Sequence, residues 1–261
     1  MNWKDQFPKE NRYYETKLGI LYNGDCLEIM KEFPEKSVDL VLADPPYNIA
    51  DKSKLTKVGG KIKTNEEAWG EKFKDKWTSI DEYFNWIILI MKLIKRILKK
   101  EGSLVSFFDR KYTGYIIYLL EKIRLKFKNK IYFEKSNPLP YIRKNNYRSC
   151  IEEAIWFTIS DKGNYYLNFI SQERMKQIFR NNIGQKETSH PTEKYAWMID
   201  PIIIRHSKKN DIVLDPMCGS GTTCKMAEKL GRRWIGIEIS EKYCEIAKKR
   251  IKSEADQKKL F

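Results

Sequence analysis

The sequence predicts an α/β protein with a Rossmann-like, doubly wound sheet that is mostly parallel. Two observations lead to this class. Nearly continuous apolar runs rich in β-branched residues recur along the chain, as in strands buried on both faces. Stretches with the periodicity of amphipathic helices separate most of these runs, and alternating strands and helices pack with right-handed crossovers. Because 261 residues suit one packed domain, we expect residues 1–261 to form a single domain.

Seven strands are expected in the sheet. No helical pattern separates the two runs near residues 130 and 154, so we expect these two strands to form an antiparallel hairpin at one edge. The predicted strands are Gly19–Asn23, Val38–Ala43, Ser103–Phe108, Lys130–Phe133, Ala154–Ile159, Asp211–Asp215 and Arg233–Ile239.

Six helices are predicted between the strands. The clearest one starts with a capping box made by Ser79 and Glu82, and Gly102 follows it as a stop signal. The predicted helices are Cys26–Phe33, Ser79–Lys100, Tyr112–Lys126, Lys194–Arg205, Thr222–Leu230 and Glu241–Lys252.

The charge of the chain favours a polyanionic partner. The sequence has 50 Lys and Arg against 35 Asp and Glu, which gives a formal net charge of +15. Such an excess is typical of proteins that bind nucleic acid. A genome whose codons favour Lys and Ile explains the same excess, so charge alone leaves both interpretations open.

The cysteines and the apolar segments narrow the class of protein. The five cysteines are scattered without a Cys-x-x-Cys pair, so we expect neither a disulfide framework nor a metal site. The N-terminal residues lack the apolar core of a signal peptide, and Trp86–Ile94 is too short and too charged to span a bilayer. We therefore expect a cytoplasmic protein without membrane contact.

Two long segments fit neither strand nor helix well. Residues 50–76 are polar and Lys-rich, and we expect a mobile loop that follows residues 44–47. Residues 161–189 mix aromatic side chains with Arg, Asn and Gln, as a small target-recognition insert would. A surface helix with ordinary loops explains the second segment equally well.

A glycine loop follows the strand Asp211–Asp215. Gly219 and Gly221 let the backbone approach a ligand closely, and in doubly wound sheets ligands bind at the carboxyl ends of strands. A phosphate loop would need a Lys-Ser/Thr pair after the glycines, and a dinucleotide loop would need glycine where Cys224 stands. Glu238 ends the next strand, where an acid can accept hydrogen bonds from the hydroxyls of a ribose. The unit therefore predicts a nucleoside-type ligand.

The tetrapeptide Asp44-Pro45-Pro46-Tyr47 follows another predicted strand. Two prolines cannot continue a strand, so the chain must turn rigidly at this point. The turn presents the Asp44 carboxylate, the Pro45 carbonyl and the Tyr47 ring to the ligand crevice. Two acceptors can bind the N–H groups of an aromatic amine and stabilise the charge that grows when it is alkylated, while the ring stacks on a base flipped out of its duplex.

These motifs resemble the amino-methyltransferases of bacterial and archaeal restriction–modification systems. The resemblance runs from about Leu21 to Arg250 and includes Lys135–Pro140, which is similar to an element near the target base. Tyr22–Glu28 is similar to the strand-end motif whose acid meets the cofactor's adenine. His190–Lys194 is similar to the segment that closes over the cofactor's methionine end. The tetrapeptide precedes the glycine loop, which is the circularly permuted order of the family's β group.

The resemblance implies S-adenosylmethionine as the cofactor. It also implies catalysis by the tetrapeptide, residues Asp44, Pro45, Pro46 and Tyr47, of which Asp44 also meets the cofactor. The remaining cofactor-binding residues that it implies are Asp25, His190, Thr192, Lys194, Asp215, Met217, Cys218, Gly219, Ser220, Gly221, Thr222, Thr223 and Glu238. Met217 stands where the family usually has Phe, which puts the rigidity of the loop in question. Tyr195 stands where it usually has Pro, which puts the local turn in question.

The partner and target base follow from the same resemblance. It implies methyl transfer to double-stranded DNA, with adenine N6 favoured because Asp rather than Ser opens the tetrapeptide; cytosine N4 stays open. Arg143, Lys144 and Arg148 are candidate DNA contacts, although a solvated charged surface is the simpler interpretation. A homodimer and a cognate restriction endonuclease are further expected partners. An RNA or protein methyltransferase and a non-catalytic DNA-binding protein are the alternative hypotheses.

Overall fold

The structure is a computed structural model, which describes residues 2–47, 55–58, 61–64, 77–138, 145–161, 163–184 and 194–257. Within these ranges the strands are β1 (Arg12–Glu15), β2 (Gly19–Asn23), β3 (Val38–Ala43), β4 (Leu55–Val58), β5 (Lys61–Thr64), β6 (Leu98–Phe107), β7 (Lys126–Lys135), β8 (Ile151–Thr158), β9 (Ile178–Asn181), β10 (Ile212–Asp215) and β11 (Arg233–Glu238).

The helices of the described residues begin with one turn of 3-10 helix at Trp3–Gln6. The α-helices are α1 (Cys26–Lys31), α2 (Ile80–Ile97), α3 (Thr113–Lys122), α4 (Ala196–His206), α5 (Thr222–Lys229) and α6 (Glu241–Gln257). None of these helices is long and apolar enough to cross a membrane. All five cysteines are free thiols.

One large sheet organises the fold, in the order β1-β2-β11-β10-β3-β6-β8-β7-β9. Strands β2, β11, β10, β3 and β6 run parallel to one another, while β1 is antiparallel to β2 and β8 is antiparallel to both β6 and β7. The α/β class with a mostly parallel sheet is therefore confirmed. The predicted count of seven strands is wrong, because β1 and β9 extend the sheet to nine.

The expected antiparallel hairpin exists, but it does not lie at the edge of the sheet. Strands β7 and β8 pair antiparallel from Lys126↔Thr158 to Glu134↔Ile151. Strand β9 then pairs in parallel with β7 and forms the edge instead. This edge strand comes from the segment predicted as a recognition insert. Its residues are mostly exposed and form no continuous apolar run, so the sequence pattern did not reveal it.

Helices cover both faces of the sheet, as the doubly wound class requires. On one face, Val41, Leu214 and Ile235 pack with the buried side of α1, α2 and α3. On the other, Leu40, Val213 and Trp234 pack with α4, α5 and α6. Neighbouring residues of one strand thus enter opposite cores. Each fully buried aliphatic side chain contributes about 1.5–3 kcal/mol to the free energy of unfolding.

Several helix boundaries differ from the prediction, the most by five residues at the end of α6, which runs to Gln257 rather than Lys252. Two of these differences have a visible local cause. Ser79 caps α2 by accepting the Glu82 N–H at 3.1 Å, but the Glu82 carboxylate returns to Thr78 rather than to Ser79. Helix α2 ends at Ile97, and the predicted stop signal Gly102 lies inside β6, where a Cβ would stand 2.7 Å from the Asp39 carbonyl oxygen. Close strand packing, not helix termination, is therefore the reason for this glycine.

The second boundary concerns α3, which was predicted to continue to Lys126. It ends at Lys122, because Arg124 takes a left-handed backbone conformation with φ 65° and β7 begins two residues later. The prediction of a mobile loop at residues 50–76 falls outside the described residues, except for the short hairpin of β4 and β5. That prediction remains untested.

Candidate active site

The predicted site residues gather at the carboxyl ends of the parallel strands. Strands β3 and β10 pair through Val41 and Leu214, so Asp44 and Asp215 leave the same edge of the sheet. Strands β10 and β11 pair in parallel up to Asp215↔Gly236, which brings Glu238 to this edge as well. The edge is where doubly wound sheets bind their ligands.

Asp44 is held by two partners. The Tyr47 hydroxyl donates a hydrogen bond of 2.6 Å to Asp44 Oδ1, and Lys194 Nζ lies 2.9 Å from Asp44 Oδ2. Lys194 Nζ is also 3.2 Å from the Tyr47 hydroxyl oxygen and lies 4.8 Å from the ring centroid of Phe107. The tetrapeptide and Lys194, two residues before α4, therefore form one cluster, although 150 positions separate Asp44 from Lys194 in the chain.

A second carboxylate completes the surroundings of Lys194. Glu152 on β8 places Oε2 at 3.3 Å from Lys194 Nζ and pairs through Oε1 with Lys135 on β7. We call Asp44, Tyr47, Lys194, Glu152 and Lys135 the acceptor cluster. Sequence reasoning missed the role of Glu152 and of the Lys135 side chain, because charged residues on strands carry no motif that would identify their partners.

The charged groups of the acceptor cluster shift the pKa values of their neighbours. Burial lowers the pKa of Lys194, but the nearby Asp44, Tyr47 and Glu152 outweigh burial and raise it well above its ordinary value. Burial raises the pKa of Glu152, but Lys194 and Lys135 bring it below its ordinary value. Burial and the neighbouring Asp44 carboxylate raise the pKa of the Tyr47 hydroxyl well above its ordinary value. Lys194 and Glu152 are therefore charged at neutral pH, and Tyr47 is neutral.

The glycine loop is held by hydrogen bonds from backbone N–H groups to two carboxylates. Gly219 N–H donates to Glu238 Oε2 at 2.9 Å, and Ser240 N–H donates to Glu238 Oε1 at 2.8 Å. Met217 N–H donates to Asp215 Oδ1 at 3.1 Å. Gly221 takes φ 78°, and a Cβ there would stand 2.7 Å from Ala247 Cβ. These bonds fix the loop despite Met217, which packs against the buried core.

The two carboxylates beside the loop have raised pKa values. Burial raises the pKa of Asp215 to about 7, against the opposing hydrogen bonds of Thr223 and Met217. Burial raises the pKa of Glu238 to about 7, against the hydrogen bonds of Ser240 and Gly219. Each oxygen of Glu238 keeps a further lone pair beyond these bonds. Buried acceptors next to an open glycine backbone fit a ribose and a cationic methyl donor.

Arg250 on α6 contacts the glycine loop, and the sequence did not identify it as a site residue. From α6 its Nη1 donates to the Ser220 carbonyl oxygen at 2.7 Å, to Ser220 Oγ at 3.0 Å and to Thr222 Oγ1 at 3.1 Å. Arg250 thus ties the glycine loop to α6. One Arg in a run of basic helical residues gives no sequence signal for this role, since such runs are usually solvated surfaces.

The remaining predicted residues are Asp25, Arg148 and four that the structure does not describe. Asp25 follows β2 at the same edge, since Asn23 pairs with Glu238; it is exposed and caps α1, where it accepts the Leu27 N–H at 2.8 Å. Arg148 is exposed and bonds the Pro138 carbonyl oxygen. His190, Thr192, Arg143 and Lys144 lie outside the described residues. No cluster of metal-ligating side chains occurs among the residues that the structure describes.

A permuted doubly wound sheet, a nucleoside-type glycine loop and an amine-acceptor turn at one edge define the class of amino-methyltransferases. Residues 38–249 match the family model of N6/N4 enzymes, whose description is DNA methylase. The chain belongs to this family, and the predicted resemblance is confirmed. It is a DNA methyltransferase that uses S-adenosylmethionine and acts on the amino group of adenine or cytosine.

Curated relatives agree with this assignment. The chain is similar to the Type II methyltransferase M.HinfI of Haemophilus influenzae, with 32% identity over 255 residues that cover 90% of this chain and 68% of the relative. It is also similar to the Type II methyltransferase M2.DpnII of Streptococcus pneumoniae, with 29% identity over 254 residues that cover 93% and 92% of the two chains.

Solved structures agree on the fold. The crystal structure of the M1.HpyAVI–SAM complex superposes with a TM-score of 0.68 and 28% identity, and the match covers 88% of this chain and 98% of that one. The PvuII DNA methyltransferase, described as cytosine-N4-specific, superposes with a TM-score of 0.72 over 95% of each chain, but its identity is only 19%. The similarity to the PvuII enzyme is therefore evidence for the fold alone.

Proposed function

We propose that this chain methylates N6 of adenine in double-stranded DNA and that Asp44, Pro45, Pro46 and Tyr47 form the site for the target base. The observation that carries the proposal is the ion pair of Asp44 with Lys194 at the carboxyl end of β3, beside the glycine loop. An aspartate that opens the tetrapeptide favours adenine over cytosine by the family resemblance. Cytosine N4 is the alternative, because the same acceptors serve either amine.

The chemistry of the acceptor explains the need for a carboxylate. The lone pair of an aromatic amino group is delocalised into its ring, so the nitrogen is a poor nucleophile. Asp44 and the Pro45 carbonyl accept its two N–H groups, draw the nitrogen toward a pyramidal geometry and release the lone pair. They also stabilise the positive charge that develops on this nitrogen, and one such preorganised group contributes about 10²–10³-fold in rate. Tyr47 stacks on the flipped base.

The glycine loop holds the methyl donor. S-adenosylmethionine supplies an electrophilic methyl group on a positively charged sulfur. We assign its binding to Asp215, Glu238 and the backbone of Met217–Thr223, with Asp25, His190, Thr192 and Lys194 as further contacts that the family resemblance implies. The buried carboxylates Asp215 and Glu238 favour a cation once they are ionised, and Arg250 orients Ser220 and Thr222.

Base specificity is tested by product analysis. Purified protein is incubated with unmethylated duplex DNA and tritiated S-adenosylmethionine, and the DNA is hydrolysed to nucleosides and separated by chromatography. We expect the label in N6-methyldeoxyadenosine, and label in N4-methyldeoxycytidine would overturn the choice of base. Transfer RNA and ribosomal protein serve as competing acceptors, and label there instead of in DNA would contradict the DNA substrate. Sequencing of modified bases in host DNA then gives the recognition site.

Two partners belong to the proposal. The names of the relatives as Type II methyltransferases support a cognate endonuclease that cuts the same sequence; methylated DNA should resist it. Exposed apolar side chains on α2 and α3, at Leu89, Tyr115 and Tyr118, support a homodimer. Sedimentation analysis of the wild type and a Leu89→Glu/Tyr118→Glu variant tests this dimer, and an unchanged monomeric mass in both would contradict it.

A further inference from the structure

The carboxylate that must accept the base is already occupied in the structure. Asp44 Oδ1 accepts the Tyr47 hydroxyl at 2.6 Å, and Asp44 Oδ2 lies 2.9 Å from Lys194 Nζ. An amino group that approaches Asp44 therefore meets a competing donor on each oxygen. The stronger competitor is Lys194, because a charged donor bonds a carboxylate more tightly than a neutral hydroxyl does.

Lys194 has a second carboxylate within reach. Its ammonium group carries three N–H donors, and three acceptors surround it, namely Asp44 Oδ2, the Tyr47 hydroxyl oxygen and Glu152 Oε2 at 3.3 Å. A partly buried cation that lost its carboxylate without a replacement would be strongly unfavourable. Glu152 removes this cost, because a small movement of Nζ exchanges one carboxylate for the other.

The charges of the acceptor cluster balance throughout such an exchange. Asp44 and Glu152 carry two negative charges, and Lys194 and Lys135 carry two positive ones. The Lys135 ammonium stays on Glu152 Oε1, so Oε2 is the oxygen that faces Lys194. The neutral amino group of a base can thus replace Lys194 on Asp44 without adding net charge to a buried site.

We propose that Lys194 is a stand-in for the amino group of the base, holding Asp44 oriented until the base enters, and that Glu152 is the positioning residue that then receives Lys194. The inference rests on the proposed function of Asp44 as the acceptor of the base. It assigns roles to Glu152 and Lys135 and gives Lys194 a task at the base rather than only at the cofactor.

Removal of the receiving carboxylate tests the proposal. In Glu152→Gln, Lys194 stays on Asp44 and competes with the base, so we expect KM for DNA to rise and kcat/KM to fall about tenfold, a coupling typical of contacting charged residues. In a Lys194→Met background the competitor is absent, so Glu152→Gln should then change kcat/KM less than twofold. A tenfold loss in both backgrounds would overturn the stand-in role.

Glu153→Gln is the matched control. Glu153 is the next residue on β8, points to the opposite face of the strand, and pairs with Lys130 at 3.4 Å. We expect this variant to keep kcat/KM for DNA within twofold of the wild type. An equal loss in Glu152→Gln and Glu153→Gln would assign the effect to strand stability and overturn the proposal.

A second readout does not need methyl transfer. Urea unfolding of the wild type, Lys194→Met, Glu152→Gln and the double variant, without DNA or cofactor, measures whether the two side chains interact. We expect non-additive unfolding midpoints, and additivity would overturn the proposal even if the enzyme is active. Lys194→Gln replaces Lys194→Met if the latter does not fold. If the four proteins show this interaction between Lys194 and Glu152 but the wild type methylates no DNA, the proposed function is overturned instead.

Discussion

The two halves of the active-site edge are built in different ways. The acceptor cluster joins side chains from the end of β3, from β7 and β8, and from the segment before α4, and ion pairs hold it together. The cofactor half is one local unit, in which backbone N–H groups of the glycine loop bond to Asp215 and Glu238. The acceptor half therefore depends on tertiary assembly, and the cofactor half depends mainly on local backbone conformation.

The largest expected effect comes from Asp44→Ala, because it removes the acceptor and leaves the glycine loop intact. We expect methyl transfer to DNA to fall about 10³-fold, with the affinity for S-adenosylmethionine within a few-fold of the wild type. Tritiated-methyl transfer and calorimetric titration measure the two quantities. Retained methyl transfer would exclude Asp44 as the acceptor, and parallel loss of both would show that the halves are not separable.

Gly221→Ala tests the opposite case, in which the cofactor half is changed and the acceptor half is left intact. The residue has φ 78°, and its new Cβ would stand 2.7 Å from Ala247 Cβ. Backbone strain and overpacking each cost about 1–3 kcal/mol, so we expect a lower unfolding free energy and about 100-fold weaker cofactor binding. Gly114→Ala on α3 is the control, since a Cβ there meets nothing within 4 Å. Unaltered cofactor affinity in Gly221→Ala would contradict the role of the loop.

Arg250→Met tests how far the cofactor half depends on a side chain from α6. The variant loses the hydrogen bonds to Ser220 and Thr222, and charged hydrogen bonds contribute about 1.5–3 kcal/mol each. We expect about 30-fold weaker binding of S-adenosylmethionine by calorimetry and a lower unfolding midpoint, because the lost hydrogen bonds lie within the protein. Lys249→Met, on the exposed side of the same helix, should bind like the wild type. Equal affinities of all three proteins would rule out this anchoring role.

The smallest effect is a pH dependence of cofactor affinity. The pKa of Glu238 is raised to about 7, so this acid is mostly protonated at pH 6 and mostly ionised at pH 8. A cationic ligand that hydrogen-bonds to the carboxylate favours the ionised form, so its affinity rises with pH, by about tenfold between these values for one group. Titrations at both pH values measure this change. A Glu238→Gln variant should bind weakly with a flatter profile, and a wild-type affinity that falls with pH would contradict the assignment.

Much of the parallel sheet could be predicted from the sequence. The bounds of β2 and β3 agree with the prediction to the residue, because both strands are buried on both faces and their apolar runs end at turn residues. Strands β1 and β9 were missed. They are edge strands with partly exposed side chains, so neither has the continuous apolar pattern by which buried strands are found.

The tetrapeptide and the glycine loop were determined by the sequence itself. Proline and glycine set the backbone dihedral angles of a few residues. The chain therefore turns at Asp44–Tyr47 and leaves space for a ligand at Gly219–Gly221, regardless of the tertiary contacts around them. Only the tertiary structure decided what Asp44 meets. Lys194 contacts Asp44, and Glu152 on β8 contacts Lys194, because β3, β6 and β8 are neighbours in the sheet. Contacts between charges 40 to 150 positions apart depend on strand order, which no local pattern encodes.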